Sequence, residues 1–473
     1  MTADTDVRSE PLTASEQIAE FVCSFDADRL IDSHRRQCSR TFVDTFAVAV
    51  AGKYEPASLS ARKLVGFQGV GPGSPVGVVH GGARLWTDGT VTGCEAAALA
   101  NGIFGHVLDY DDVTTPLRGH PSVVLWPALT AIGEARDLPG DRLVPAYVVG
   151  FEVLCKLSRV MAVPHYESGW HSTASIGVIG ATAACAYLLS LDRSQVVNAI
   201  GLAVAQAAGC RENVGTQAKS FQAGQAAAAA VRAALFAESE FEASVRSLDG
   251  AHGYMHLYAQ DEELAQSLGE LGDLPLEIER AGIEVKQYPM CYATHRTLDA
   301  LLSLRKDNEL ALEDVCHVQV ETSNSALIPL TRHRPVTGLE GKFSIEYAVA
   351  AALMDGAVRL DTFTDDAVNR PSIQRFLACV ESSEAEGALS PRWARVKVTL
   401  KNGRTVSRHI EILHGSAQDP LSDDELLRKV TDCLSFGRSD MDPQSLYDQA
   451  MNMHRVTVRE LLDALTTRPN VQP

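Results

Sequence analysis

The sequence lacks the signatures by which the commoner enzyme classes are recognised. None of its ten cysteines stands in a C-x-x-C pair. That removes the usual zinc-ribbon and iron–sulfur spacings and suits free thiols in a reducing compartment. No G-x-x-x-x-G-K-[ST] run is present, and Gly69-x-Gly71-x-x-Ser74 fails the dinucleotide pattern at its third glycine and carries Pro72. G-x-S-x-G and H-E-x-x-H are missing too. Nucleotide, flavin and metalloprotease chemistry are therefore not expected, and neither a metal nor a cofactor is assigned. Positive charge is also scarce, with 42 Lys and Arg against 60 Asp and Glu, a formal charge of −18. Such a surface repels phosphate backbones, so no nucleic-acid partner is expected. A small anionic substrate would need a local cluster of positive groups working against the global field.

Long apolar runs are rare as well. The uncharged stretch 172–191 is long enough to span a bilayer, but its Ser, Thr, Ala and Gly content predicts a buried helix and no membrane partner. The first residues carry Asp4, Asp6, Arg8 and Glu10 and no apolar core of a signal peptide, so a cytoplasmic protein is expected.

What is present is mostly helical. The chain of 473 residues is long enough for two or three domains of roughly 150 residues. Thr13-Ala14-Ser15-Glu16 has capping-box spacing, with Ile18, Phe21 and Val22 following at helical period. Phe42, Val43, Phe46, Ala47 and Val50 continue it up to Gly52. Pro56 to Gly93, rich in Gly and Pro, reads as loop with short extended pieces. Helix resumes at Glu95 and runs with interruptions to about Ser239; its alanine run at 226–230 predicts helix axes in close approach. Beyond Gly272 come period-two stretches, His317–Thr322, Arg395–Leu400 and Thr405–Ile410, the last two joined through Asn402-Gly403 as a hairpin. Ser422-Asp423-Asp424-Glu425 starts a final helical segment. The expected fold is mainly α: a large all-helical domain (1–272 and 411–473) interrupted by a smaller α+β lid domain (273–410).

Five polar islands interrupt this apolar background. They are His106–Asp112 with Arg118-Gly119-His120, then Trp170–Thr173, Gln217–Gly224, Lys286–His295 and Lys342–Tyr347. In the first, Asp109 is placed to orient a histidine and fix its tautomer. His171 stands at the N-terminal edge of a buried helix, where the dipole favours a neutral imidazole. Lys219 near a helix start opposes the dipole, which suggests that an anion shares its site.

These islands, in this order, resemble the MmgE/PrpD family, which includes 2-methylcitrate dehydratases, cis-aconitate decarboxylases and iminodisuccinate epimerases. The family's H-x-L-D-[FY]-D-D loop resembles His106 to Asp112, and its H-P-S segment resembles His120-Pro121-Ser122. Lys219–Ala237, the Y-P-x-C-x-x-T-H run at Tyr288 to His295 and the segment from Phe343 to Leu353 are similar as well. The resemblance covers roughly residues 15–460. It implies a helical domain with an inserted lid, a homodimer, and an active site at Asp109, His120, His171, Lys219, His295 and Tyr347. Of these, Lys219, His120, His295 and Tyr347 would bind substrate carboxylates, and His171 would act at carbon. One departure stands in the first loop: Val113 replaces the decarboxylases' Thr, the loop to His120 is one residue longer, and Thr114 is the neighbouring substitute.

The implied chemistry removes a proton next to a carboxylate of a small di- or tricarboxylic acid without a cofactor. Dehydration, as in a 2-methylcitrate dehydratase, ranks first. Epimerisation of an iminodisuccinate-like acid ranks second, and decarboxylation third. A helical binding module without catalysis is the competing class.

Overall fold

Thr13 caps the first helix as its sequence predicts. Its hydroxyl accepts from the Glu16 backbone N–H, while the Glu16 carboxylate accepts the Thr13 N–H, so α1 (Ala14–Ser24) starts with two otherwise unpaired donors satisfied. A computed structural model describes residues 11–67, 81–258, 268, 270–388 and 390–466. α2 (Asp32–Ala51) stops at Gly52. The Pro56–Gly93 expectation is corrected at its start, where α3 (Pro56–Phe67) is a helix; its short extended pieces are present as a hairpin, β1 (Gly82–Arg84) with β2 (Val91–Gly93). Proline suits a first helical turn, and Ala57, Ala61 and Val65 recur every fourth residue to bury one stripe.

Then come α4 (Cys94–His106), α5 (Ser122–Ala135), α6 (Leu143–Glu167), α7 (Ser172–Ser175), α8 (Gly177–Leu189), α9 (Arg193–Val204) and α10 (Ala218–Glu238). The stretch from Ser172 to Leu189 is long and apolar enough to cross a membrane, yet 89% of it is buried inside the protein. α10 packs against α4, α5, α8 and α9. Its tightest approach is to α4: a Cβ on Gly224 would meet the Leu99 carbonyl oxygen at 2.3 Å, and one on Gly102 would meet Gly224 Cα at 2.7 Å. The buried alanines from Ala226 to Ala230 let the rest of α10 lie equally close to its neighbours.

A second hydrophobic core spans Met290 to Leu400. Its sheet has the order β4 (Val380–Glu384), β3 (Val315–Thr322), β5 (Ala394–Leu400), β6 (Thr405–Ile410); β3 is parallel to β4 and antiparallel to β5. α11 (His295–Asn308) packs on β5 and β6, and α12 (Ile345–Asp355) packs on β4. The Asn-Gly signal gives the expected hairpin in a longer form. Gly403 takes φ +82° and donates to the Leu400 carbonyl, closing a three-residue loop between Leu400 and Arg404. α13 (Asp423–Phe436), α14 (Pro443–Met451) and α15 (Val458–Thr466) return to the first core, where Leu426, Val430, Leu446 and Leu461 are buried.

Because α4 and α10 meet backbone to backbone, Gly224→Ala should lower stability by about 1–3 kcal/mol through overpacking. Gly66→Ala, at a helical position with nothing within 4 Å of the added carbon, should raise it by up to about 1 kcal/mol. Thermal unfolding of the two variants checks this; equal melting temperatures would contradict the close crossing.

Candidate active site

α4 ends at His106, and the chain folds back through 107–121 before α5 begins. Asp109 lies in this loop in a left-handed conformation, φ +52°, which costs a non-glycine residue on the order of 1 kcal/mol but suits Asp better than most. Two buried lysines from distant segments hold the loop. Lys286 Nζ donates to the Asp109 carbonyl at 2.7 Å, and Lys429 Nζ, from α13, donates to the Tyr110 carbonyl at 2.9 Å. Backbone bonds between Val113 and Glu284 fasten the loop to the segment leading into the second core.

The Asp109 side chain is the centre of the charge pattern. Its Oδ1 lies 2.5 Å from Lys219 Nζ, 3.3 Å from Lys286 Nζ and 3.5 Å from His120 Nε2. Burial pushes this carboxyl up, but the two ammoniums outweigh burial and hold it well below the usual carboxylate range. Lys219 is likewise opposed by burial and sustained by Asp109, so its pKa is raised. The anion that a lysine at the start of α10 called for is therefore first of all the chain's own Asp109. Lys286, more deeply buried, is pushed down by desolvation despite the same partner.

Three imidazoles surround this pair. His106 Nδ1 contacts Asp111 Oδ2 at 2.8 Å, and His120 Nδ1 lies 3.1 Å from the same oxygen. His171 caps α7, and its Nδ1 faces the Gln222 Oε1 at 2.8 Å. The Gln222 amide nitrogen donates to the Cys210 carbonyl, so its oxygen must face His171. His171 Nδ1 is thereby the donor, and its Nε2 lone pair is left for the cavity. Burial lowers all three pKa values; His120 is brought down to about 3, with Lys219 and Lys286 adding to the effect. At neutral pH these rings are uncharged bases beside a charged ammonium. Asp112 differs from its neighbours: burial and the nearby Asp44 push its carboxyl well up, and it accepts from the Ser122 hydroxyl.

Asp109, Thr114, His120, His171 and Lys219 line one cavity with about 1080 Å³ of empty space measured to its open mouth. Its far wall comes from the second core, through Thr322 and Ser323 at the end of β3 and Ala394 at the start of β5. Val113 is part of the wall, and the Thr114 hydroxyl beside it donates to the Gly282 carbonyl at 3.0 Å. Two residues implied by the resemblance are not on this wall. His295 is fully buried between Tyr288 and Tyr292 with Nε2 3.3 Å from the Met290 carbonyl. Tyr347 is a core residue whose hydroxyl donates to the Thr362 carbonyl at 2.5 Å. Both pack beneath the cavity's second-core side, where α11 and α12 meet.

Arg118, Gln222 and Lys286 stood inside the polar islands without a role, and Arg211, Arg296 and Arg392 of the wall lay outside them. Gln222 had a signal, since it stands three residues after Lys219 on one helix face. His106, Asp109, Asp111 and His120 also bring ligand atoms within 4.8 Å of one another. A divalent cation held there would sit against the Lys219 and Lys286 ammoniums, so the donor set fits an ion-paired acid–base cluster better than a metal centre.

The comparisons with known proteins follow this geometry. Residues 16–267 match the model of the MmgE/PrpD N-terminal domain and residues 288–453 that of the MmgE/PrpD C-terminal domain. The chain is similar to cis-aconitate decarboxylase of Homo sapiens, 28% identical over 346 residues, covering 70% of this chain and 71% of that protein. It is 25% identical to the Mus musculus enzyme of that name over 429 residues, covering 88% and 86%. The Aspergillus terreus enzyme of the same name is 24% identical over 419 residues, covering 81% and 84%. With matched segments over most of its length, this chain belongs to the MmgE/PrpD family.

Proposed function

We propose that this protein is a lyase that removes CO2 from a small unsaturated di- or tricarboxylic acid resembling cis-aconitate, with its own side chains as acid and base. The observation that carries the reading is the convergence of a charged Lys219, an ionised Asp109 and a His171 of fixed tautomer on one cavity. Loss of CO2 is placed ahead of dehydration, reversing the order read from sequence, because the three relatives named above are decarboxylases.

Decarboxylation consumes one proton. As the C–C bond to the departing carboxylate breaks, its electron pair moves through the adjacent double bond toward a carbon bearing a second carboxylate. That carbon must then be protonated. Lys219 and the wall arginines stabilise the charge that builds on the remaining carboxylate. His171 delivers the proton from Nε2, and Gln222 keeps the ring turned to do so. His171 is neutral before substrate binds, so it must first be charged with a proton. The arriving carboxylates do this: negative charge beside a buried imidazole raises its pKa. Asp109 fixes Lys219, and Asp111 fixes His120.

Three outcomes test the reading. Incubation with cis-aconitate should release CO2, and in heavy water deuterium should enter the product at one carbon. Hydration, or exchange without CO2, would instead assign the cavity to another reaction class of the family. His171→Gln should keep tricarboxylate binding within a few-fold and lower kcat by about 10²–10⁴; an unchanged kcat would remove His171 from the chemistry. Binding of tricarballylate, a saturated and unreactive tricarboxylate, should take up protons near pH 6 and take up fewer as pH rises toward 8. The sign follows from folded-state pKa values that lie below 6.5 in the free protein and rise in the complex. Calorimetry in two buffers of different ionisation enthalpy measures this, and proton release would contradict it.

A further inference from the structure

Three guanidiniums converge on the cavity from separate turns. Arg118 lies in the loop closed by the Thr114–Gly119 backbone pair and itself takes φ +51°. Arg211 opens the short turn Arg211–Asn213, tied down by its backbone N–H on the Gly169 carbonyl at 2.8 Å. Arg392 comes from the residues just before β5. Arg118 and Arg211 both lie over the Tyr166 ring, their guanidinium carbons 4.7 and 4.2 Å from its centroid. Arg392 feels the charge of Arg118, as Arg118 feels that of Arg211.

Like charges gathered in this way repel one another unless an anion joins them. No carboxylate pairs with Arg118, Arg211 or Arg392 among the described residues. Glu284, the cavity's other acid, accepts from the hydroxyls of Thr115 and Tyr292 and acts on Arg392 only through its field. Glu167 acts on Arg118 only through its field. Arg118 Nη1 and Arg211 Nε are buried without a hydrogen-bond partner, while the Arg211 guanidinium also bonds the Tyr166 side chain.

We infer that Arg118, Arg211 and Arg392 form a carboxylate subsite in the wall of the cavity, which holds the third carboxylate of a tricarboxylate substrate. Two carboxylates lie toward Lys219 and His120, and the third is gripped by the guanidiniums, which suit the planar, two-oxygen geometry of a carboxylate. The inference deepens the lyase reading and rests on it for which end of the substrate reacts.

The test compares two unreactive probes, tricarballylate and glutarate, which is the same five-carbon chain without the central carboxylate. Calorimetric titration of the full-length protein should give tricarballylate at least a tenfold advantage. Arg211→Gln and Arg118→Gln should each weaken tricarballylate about tenfold and leave glutarate within twofold, and Arg211→Lys should recover part of the loss. If wild type binds both probes equally, or if the glutamine variants weaken both alike, the arginines only clamp Tyr166 and the subsite is overturned. CO2 release from cis-aconitate is scored separately. Retained discrimination without CO2 would sink the lyase reading alone, and CO2 release without discrimination would sink the subsite alone.

Discussion

A single buried carboxylate organises this molecule's chemistry. Asp109 lies out of water with ammoniums from two distant segments within 2.5 and 3.3 Å. Moving such charges from water into the interior costs several kcal/mol each, which their mutual attraction offsets only when every partner is in place. The ion triad therefore ties three parts of the chain together: the loop after α4, the start of α10 and the strand-like run at 284–286. The same constraint explains why Lys219 tolerates a helix start, where the dipole disfavours it. Its carboxylate partner outweighs a dipole term of about 0.3–1 kcal/mol.

The triad can form because the helices beneath it come close. Gly102 and Gly224 let α4 and α10 touch along their backbones, so His106 at the end of one helix comes near Lys219 at the start of the other. Larger residues at the crossing would separate them by a side-chain diameter, several times the tolerance of a hydrogen bond. Alanine-rich sequence is thus a condition of the active-site geometry as well as of packing.

Much of this was legible in the sequence, for local reasons. Thr13 with Glu16 and Ser422 with Glu425 cap helices through bonds that span three residues, and Asn402-Gly403 turns a hairpin through one residue's left-handed backbone. Local rules also failed. Pro56 read as a loop signal although proline opens helices, and only burial against α4 decides the matter. The anomaly at Lys219 correctly announced an anion but gave no hint that the chain provides one itself. His295 and Tyr347 sit in the segments the family pattern marks, yet their side chains turn into the second core. Orientation on a buried helix is set by packing, which a motif does not encode. The arginines drew no role for the opposite reason: each is ordinary in its own turn, and their meaning arises only when three turns meet.

The inner end of the cavity has one more property. Asp109 is held ionised against the charged Lys219, while burial lowers the pKa values of the three histidines and pushes the Asp112 carboxyl well up. The Asp109–Lys219 pair at the floor of the site thus cancels its own charge, inside a chain whose formal charge is −18. A polyanion approaching from solution meets repulsion at long range and attraction only on contact. Ionic strength should therefore act on encounter in the direction opposite to that of most sites for anions: dissolved ions shorten the reach of the surface repulsion to about 8 Å at physiological concentration, while the recessed contacts are screened far less.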